Sequence, residues 1–160
     1  MVIENDLTID SLWKLLEQVP DPEIPVLSIL DLGIVRDVKY HEGQVEIIIT
    51  PTYSGCPAMD AISMDIRLKL IEHSYKNIKI TSVLSPAWTT DWMTEEGKIK
   101  LNKYGIAPPK MSNDLSDSSP VCPQCQSADT KLLSQFGSTA CKALYQCNDC
   151  KEPFDYFKCH

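Results

Sequence analysis

Two Cys-x-x-Cys pairs have the residue types and spacing that point most directly to chemistry: Cys122-Pro123-Gln124-Cys125 and, 21 residues further on, Cys147-Asn148-Asp149-Cys150. Two such knuckles can bring four sulfurs onto a tetrahedron around one metal ion, the ligand set of structural zinc. An iron centre of rubredoxin type would use the same four sulfurs, and two disulfides would demand an oxidising compartment. The roughly 40 residues beyond Pro120 are too few to fold on a hydrophobic core alone, so a bound metal supplies the missing stability. Protein sulfur fills every coordination position. The centre is therefore structural, with zinc its expected occupant.

A further thiol stands in Thr50-Pro51-Thr52-Tyr53-Ser54-Gly55-Cys56-Pro57. An alternating run, Val45 to Ile49, precedes it and reads as a strand. Ala58 to Glu72 follows, with Met59, Ile62, Ile66 and Leu70 spaced as on one helix face. Cys56 thus falls at a strand-to-helix turn beside the positive end of a helix dipole, where a thiol is shifted toward the nucleophilic, metal-binding thiolate. The competing reading is a small residue packing a tight turn. Asp21, Glu23 and Asp31 could form an acid–base pair but read as turn and cap residues. His41 lies in a turn, and His73 follows a helix end that favours a cation. With no catalytic constellation, the chain reads as a non-enzyme. Cys141 either packs the ribbon or presents a thiol to a partner. Cys159-His160 is either a weak metal pair or a frayed tail. Trp13, Trp88, Trp92, Met59 and Met64 read as core, with Trp88 and Trp92 alternatively forming a partner-facing patch.

The elements that must position these residues follow from periodicity and punctuation. Thr8 can cap a helix carrying Leu12, Trp13, Leu15, Leu16 and Val19, which Pro20 ends. Two prolines make Asp21-Pro22-Glu23-Ile24-Pro25-Val26 an extended, rigid segment. Val35 to Tyr40 and Val45 to Thr50 flank His41-Glu42-Gly43-Gln44, a hairpin with Gly43 free to take positive φ. Ile78 to Leu84 is a third strand. Thr90 or Thr94 caps a last helix that closes at Tyr104-Gly105. The fold class is α+β: a small two-layer α/β domain with a three-stranded mixed sheet over residues 1–109, then a zinc ribbon over 121–160. Residues 110–120, rich in Ser, Asp and Pro, form the linker. In the ribbon, Leu132, Leu133, Phe136, Leu144 and Tyr145 suit its hairpins.

Composition excludes several classes. The chain of 160 residues carries a formal charge of −7, from 15 basic and 22 acidic residues. The excess is spread along the chain, at −5 up to Met111 and −2 beyond. Neither part has the basic footprint of phosphate-backbone binding, so no nucleic acid is expected. The acidic start lacks the pattern of a signal peptide, and no apolar run is long enough to span a bilayer. A cytoplasmic protein with no membrane contact is expected, in a compartment where seven cysteines serve as ligands or functional thiols.

Asp21-Pro22-Glu23-Ile24-Pro25-Val26, Asp31-Leu32-Gly33, Thr50 through Gly55-Cys56-Pro57, and Ser85-Pro86-Ala87-Trp88-Thr89 together resemble the iron–sulfur assembly family that includes SufT-like proteins. With Phe136-Gly137-Ser138-Thr139-Ala140-Cys141-Lys142-Ala143 and Pro153 to His160, the whole chain resembles the PaaD (PaaJ) family of accessory proteins, encoded with the phenylacetyl-CoA epoxygenase. The resemblance implies help in assembling or maturing an iron–sulfur cluster of the epoxygenase–reductase complex, or an adaptor role in that complex without cluster transfer. It implies Cys56 as the cluster-handling thiol, with Asp21 and Thr50 flanking the same site. The implied cofactors are structural zinc and a transient iron–sulfur cluster. The implied partners are the epoxygenase and reductase subunits and iron–sulfur assembly proteins. One cysteine cannot hold a cluster in the four-thiolate manner. A second copy of the chain in a homodimer, a partner's cysteines or a small thiol would complete the ligation.

Overall fold

The computed structural model describes residues 9–110 and 119–158. Thr8 as a cap, most of the linker, and the Cys159-His160 pair lie outside the described residues. The chain divides into two compact units, Met1–Trp88 and Thr89–His160.

In the N-terminal unit, α1 (Ile9–Leu16) buries Leu12, Leu15 and Leu16. Strands β1 (Val35–His41) and β2 (Gln44–Ile49) form an antiparallel hairpin, and β3 (Asn77–Ser82) adds parallel to β2. The order β1-β2-β3 gives the expected three-stranded mixed sheet. Both central residues of the hairpin turn, Glu42 (φ 49°) and Gly43 (φ 82°), are left-handed, the geometry that matches strand twist in a two-residue turn. Helix α2 (Ala58–Glu72) makes the crossover to β3, which a parallel pair requires. Its buried residues Ala58, Ile62, Ile66 and Leu70 form one i+4 row, and β2 buries Val45, Ile47 and Ile49. The indole N–H of Trp88 donates to the Leu32 carbonyl at 2.8 Å, and that ring is core.

Two expectations for this unit are corrected. Met64 is 56% exposed rather than core, because it lies midway between Ile62 and Ile66 in the buried row and so projects from the far side of the helix. The Asp21–Val26 segment is a turn, not an extended rod. The Asp21 carboxylate accepts the amides of Glu23 (3.0 Å) and Ile24 (2.7 Å), and the Leu27 amide reaches back to the Ile24 carbonyl at 2.9 Å. A side chain that satisfies the amides of the next residues folds the backbone over itself, and two prolines do not prevent it.

The C-terminal unit contains α3 (Glu95–Tyr104). The Thr94 hydroxyl caps it by accepting from Gly97 N–H at 2.9 Å, and Gly105 at φ 93° ends it. Strand β4 (Ile106–Ala107) runs parallel to β7 (Pro153–Phe157), with β6 (Lys142–Cys147) and β5 (Thr130–Ser134) completing a four-stranded sheet in the order β4-β7-β6-β5. The last helix therefore groups with the ribbon strands. The core beside the cysteines is Ala107, Cys122, Cys147 and Phe154, with Tyr145, Cys150 and Tyr156 packed against it. Strand β5, with Leu132 and Leu133, pairs with β6, with Leu144 and Tyr145, as the expected hairpin. Leu132, Leu133 and Phe136 are exposed, at 47, 49 and 57%, outside this core. They sit on or next to β5, an edge strand with one neighbour, whereas Phe154 and Phe157 on the interior strand β7 are buried.

Candidate functional site

The four cysteines of the two knuckles converge. All four Sγ atoms lie within 4.8 Å of one another, with Cys122–Cys150 at 3.7 Å and Cys125–Cys147 at 3.5 Å. A Zn–S bond of about 2.3 Å in a tetrahedron requires S···S edges of about 3.8 Å, so the donor set fits a tetrathiolate metal.

The two knuckles are built alike. Cys122 N–H donates to the Ser127 carbonyl at 2.9 Å, and Cys147 N–H donates to the Glu152 carbonyl at 3.0 Å, five residues ahead in each case. The residue after each second cysteine, Gln126 (φ 65°) and Lys151 (φ 67°), is left-handed, which turns the following amide toward sulfur. Backbone N–H groups of Ser127, of Cys150 and Asp149, and of Glu152 donate to the sulfurs of Cys125, Cys147 and Cys150 respectively. Such donors stabilise thiolates. The Asn148 side chain and amide are tied to Asp129 at 2.7 and 2.8 Å, and the Ser127 hydroxyl donates to the Asp149 carboxylate, which links one knuckle to the other.

The thiols are electrostatically unequal. The N–H of Cys150, then that of Asp149, lower the Cys147 thiol to about 7 despite its desolvation. Cys150 is pushed up to about 12: the Glu152 N–H, its largest single influence, lowers it, but desolvation and the sulfurs of Cys125, Cys147 and Cys122 together outweigh that donor. One thiolate thus forms readily while its neighbours oppose the next. A divalent cation at the centre reverses that opposition.

Cys56 is half-buried, in the turn between β2 and α2. Its N–H donates to the Tyr53 carbonyl at 3.2 Å, and its carbonyl accepts from Met59 N–H at 3.3 Å. Gly55, at φ +79°, supplies the left-handed step that a side chain would strain. Pro57, at the N-cap, offers no side-chain hydrogen bond to the first turn of α2. Thr50 closes β2. Its amide donates to the Ile34 carbonyl at 2.9 Å, while its hydroxyl, in a residue 1% exposed, has no hydrogen-bond partner among the described residues. Asp21 is buried, and the two bonds described above serve its own loop. Asp31 behaves likewise: it accepts Ser28 N–H at 3.0 Å while its own N–H donates to the Ser28 hydroxyl at 3.1 Å. Cys141 is buried, its sulfur 3.0 Å from the Thr139 hydroxyl, so it packs the ribbon. Sequence reasoning missed β4 and the knuckle amides. The first gives too short a signal, and the second is a property of backbone direction.

The fold and the four-sulfur centre define a metal-ribbon protein joined to a small α+β unit. Residues 9–80 match the model of the iron–sulfur cluster assembly protein family, and residues 107–158 match that of the PaaD zinc beta ribbon domain. A protein of Escherichia coli K12, provisionally named as one of the subunits of 1,2-phenylacetyl-CoA epoxidase, is 51% identical over 94% of this chain and 93% of its own length. The chain belongs to that family, the PaaD proteins. An Fe–S protein maturation auxiliary factor of Porphyromonas gingivalis W83 is 36% identical over 59% of the chain and 90% of its own length. A crystal structure of a domain of unknown function, DUF59, from Bacillus anthracis superposes with a TM-score of 0.54 at 33% identity, covering 57% of this chain and 89% of that one. Among the described residues no helix is long and apolar enough to cross a membrane.

Proposed function

We propose that this protein is an accessory maturation factor of the phenylacetyl-CoA epoxidase system, acting on an iron–sulfur cluster of a partner protein rather than catalysing a reaction of its own. The carrying observation is Cys56, a half-buried thiol on a glycine-permitted turn at the mouth of α2, in the unit that matches the iron–sulfur assembly family. The cluster is cargo. Cys56 would supply one thiolate, and a partner's cysteines or a small thiol would complete the ligation. Thr50, whose buried hydroxyl lacks a partner, and Asp21 are the residues we assign beside it. Zinc on Cys122, Cys125, Cys147 and Cys150 would hold the ribbon. A closed four-sulfur set supplies folding energy and offers no position to substrate. The partners are the epoxidase and reductase subunits and cluster-assembly proteins, in the cytoplasm.

The test is the Cys56→Ser variant, purified anaerobically beside the wild type. Expected are one zinc per chain in both, iron and sulfide in the wild type alone, and loss of epoxidase activity in cells that carry the variant. A fully active complex from the Cys56→Ser strain refutes the proposal. Activity lost without iron in either protein would favour an adaptor.

A further inference from the structure

Helix α2 is apolar on two sides. One row packs into the unit; the other, Ala61, Met64, Leu68 and Ile71, is exposed, its three large side chains at 56, 52 and 58%. The spacing of this second row is three, four and three residues, the spacing of a seam along which another helix packs. The seam rises about 15 Å from Ala61 to Ile71, about three turns of helix. An exposed contiguous apolar row marks a binding surface more often than scattered single residues do. Beside it lies a cleft of about 270 Å³, lined by Gln18, Val19 and Pro20 from one side and Asp65, Leu68, Lys69 and Glu72 from the other. Leu68 belongs to both seam and cleft.

Charge selects the occupant. The N-terminal unit contains 7 basic and 13 acidic residues, so it carries −6 of the chain's −7. The charged groups flanking the seam are Asp60, Asp65, Arg67, Lys69 and Glu72. Of the two cations, Arg67 donates to the Ile78 carbonyl at 2.9 Å and Lys69 pairs with Glu72 at 4.0 Å. Lys69 and Glu72 offset one another, and Asp60 and Asp65 outnumber Arg67, so the flanks of the seam carry a net −1 on a unit of −6. A second copy fits badly. Antiparallel pairing of two such helices sets Arg67 against Arg67 and Asp65 against Asp65; parallel pairing sets Asp60 against Asp65. Either way −6 meets −6, and like charges across an interface are costly.

We infer that the Ala61–Ile71 seam of α2 is a docking surface for an amphipathic helix of a partner protein, with leucine-type anchors on one face and lysine or arginine at its flanks. The inference rests on the proposed role only for the choice of proteins to test. Met64 and Leu68 are the central anchors, and Asp60 and Asp65 fix the orientation and speed the approach of a basic helix.

The test co-expresses the full-length chain with the other subunits of the epoxidase system and measures binding to whichever of them is captured, with a photo-crosslinking residue at position 71. The Met64→Asp/Leu68→Asp double variant changes exposed side chains only, so zinc content and circular dichroism serve as controls for folding. Expected are a 10- to 100-fold weaker association for the variant, weakening of the wild-type complex with added salt, and a crosslink landing on a helix flanked by Lys or Arg. Unimpaired capture by the folded variant, or a crosslink to a second copy or to a non-helical segment, overturns this inference and leaves the maturation role standing. A wild type that captures none of them overturns both.

Discussion

Replacing Cys147 by Ser separates the two units energetically. Cys147 is fully buried, its thiol is lowered by the N–H groups of Cys150 and Asp149, and it is one of the four sulfurs of the centre, so its loss removes a buried ligand held ready for the metal. The consequence follows from how each unit is held together. Among the described residues, the N-terminal unit buries 18 large apolar side chains, from Leu12 to Trp88, whereas the C-terminal unit buries five: Met93, Leu101, Ile106, Phe154 and Phe157. At about 1.5–3 kcal/mol per buried side chain, five contribute about 7–15 kcal/mol. That is small beside the entropy of ordering its strands and loops, at about 1–2 kcal/mol per residue. A tetrathiolate zinc contributes about 10–16 kcal/mol. The metal is thus comparable to the whole apolar core of this unit, and losing a buried ligand removes most of it. The assay is amide hydrogen exchange with zinc quantification. In the variant, amides of β5, β6 and β7 are expected to lose protection to the level of open chain, while those of β1–β3 and α2 keep theirs. Zinc is expected to fall well below one per chain. Full zinc occupancy in the variant, or protected β6 and β7 amides without zinc, would refute the reasoning.

Thr50→Val removes a buried hydroxyl without a partner and keeps the shape. It is expected to stabilise the N-terminal unit by about 1–2 kcal/mol in urea unfolding while lowering epoxidase maturation in cells, because the proposed site sets Thr50 beside Cys56. The Tyr156 phenol is held above its ordinary value of 10.0, first by desolvation. Its neutral form is favoured in the fold, so its contribution is present in full below the unfolded value and lost as the pH rises through the higher folded one. Tyr156→Phe is therefore expected to shift the alkaline loss of ribbon structure to higher pH, read by circular dichroism. A Cβ at Gly137 would meet an Asp155 carboxylate oxygen at 2.9 Å and the Lys142 carbonyl at 3.4 Å, beside the Lys142–Asp155 ion pair at 3.8 Å. Gly137→Ala is expected to cost about 1–3 kcal/mol of ribbon stability, measured as a lower thermal midpoint, because the clash disturbs a pair whose lysine is buried.

Local chemistry was legible in the sequence. The two knuckles could be read because a Cys-x-x-Cys pair is a short-range device: four residues suffice to turn the chain, and the sulfurs then need only one partner knuckle. Helix α2 is legible from Ala58 to Glu72 because the row 62, 66, 70 repeats at the helical period, and Gly43 and Gly105 announce their turns through the φ values that glycine permits. Non-local pairing was not legible. Two-residue β4 exists only because β7 lies beside it, and Leu132 and Leu133 face solvent because β5 has a neighbour on one edge alone. No pattern within either segment states which strands flank it. Asp21 failed differently: two prolines argued for an extended rod, yet one carboxylate oxygen accepting two amides overrode them.

Met64 shows that helical spacing names a row and not the row that is buried. Met64 stands at helical spacing to Ala61, Leu68 and Ile71, not to Ile62 and Ile66, so α2 repeats apolar residues on two rows, and only one can face the sheet. Summing over the helix cancels the two rows, so a helix with two apolar sides looks less amphipathic than one with a single core face. The absence of a dominant polar side was the available signal that α2 has a second surface to cover. A helix that spends only one of two apolar rows on its own unit remains incompletely partnered, and the acidic flanks of the other row limit what can complete it. The turn that carries Cys56 opens directly into this helix. A basic helix laid along Ala61–Ile71 would therefore bind within about four turns of the thiol, which puts recognition of the partner and chemistry on its cluster on the same element.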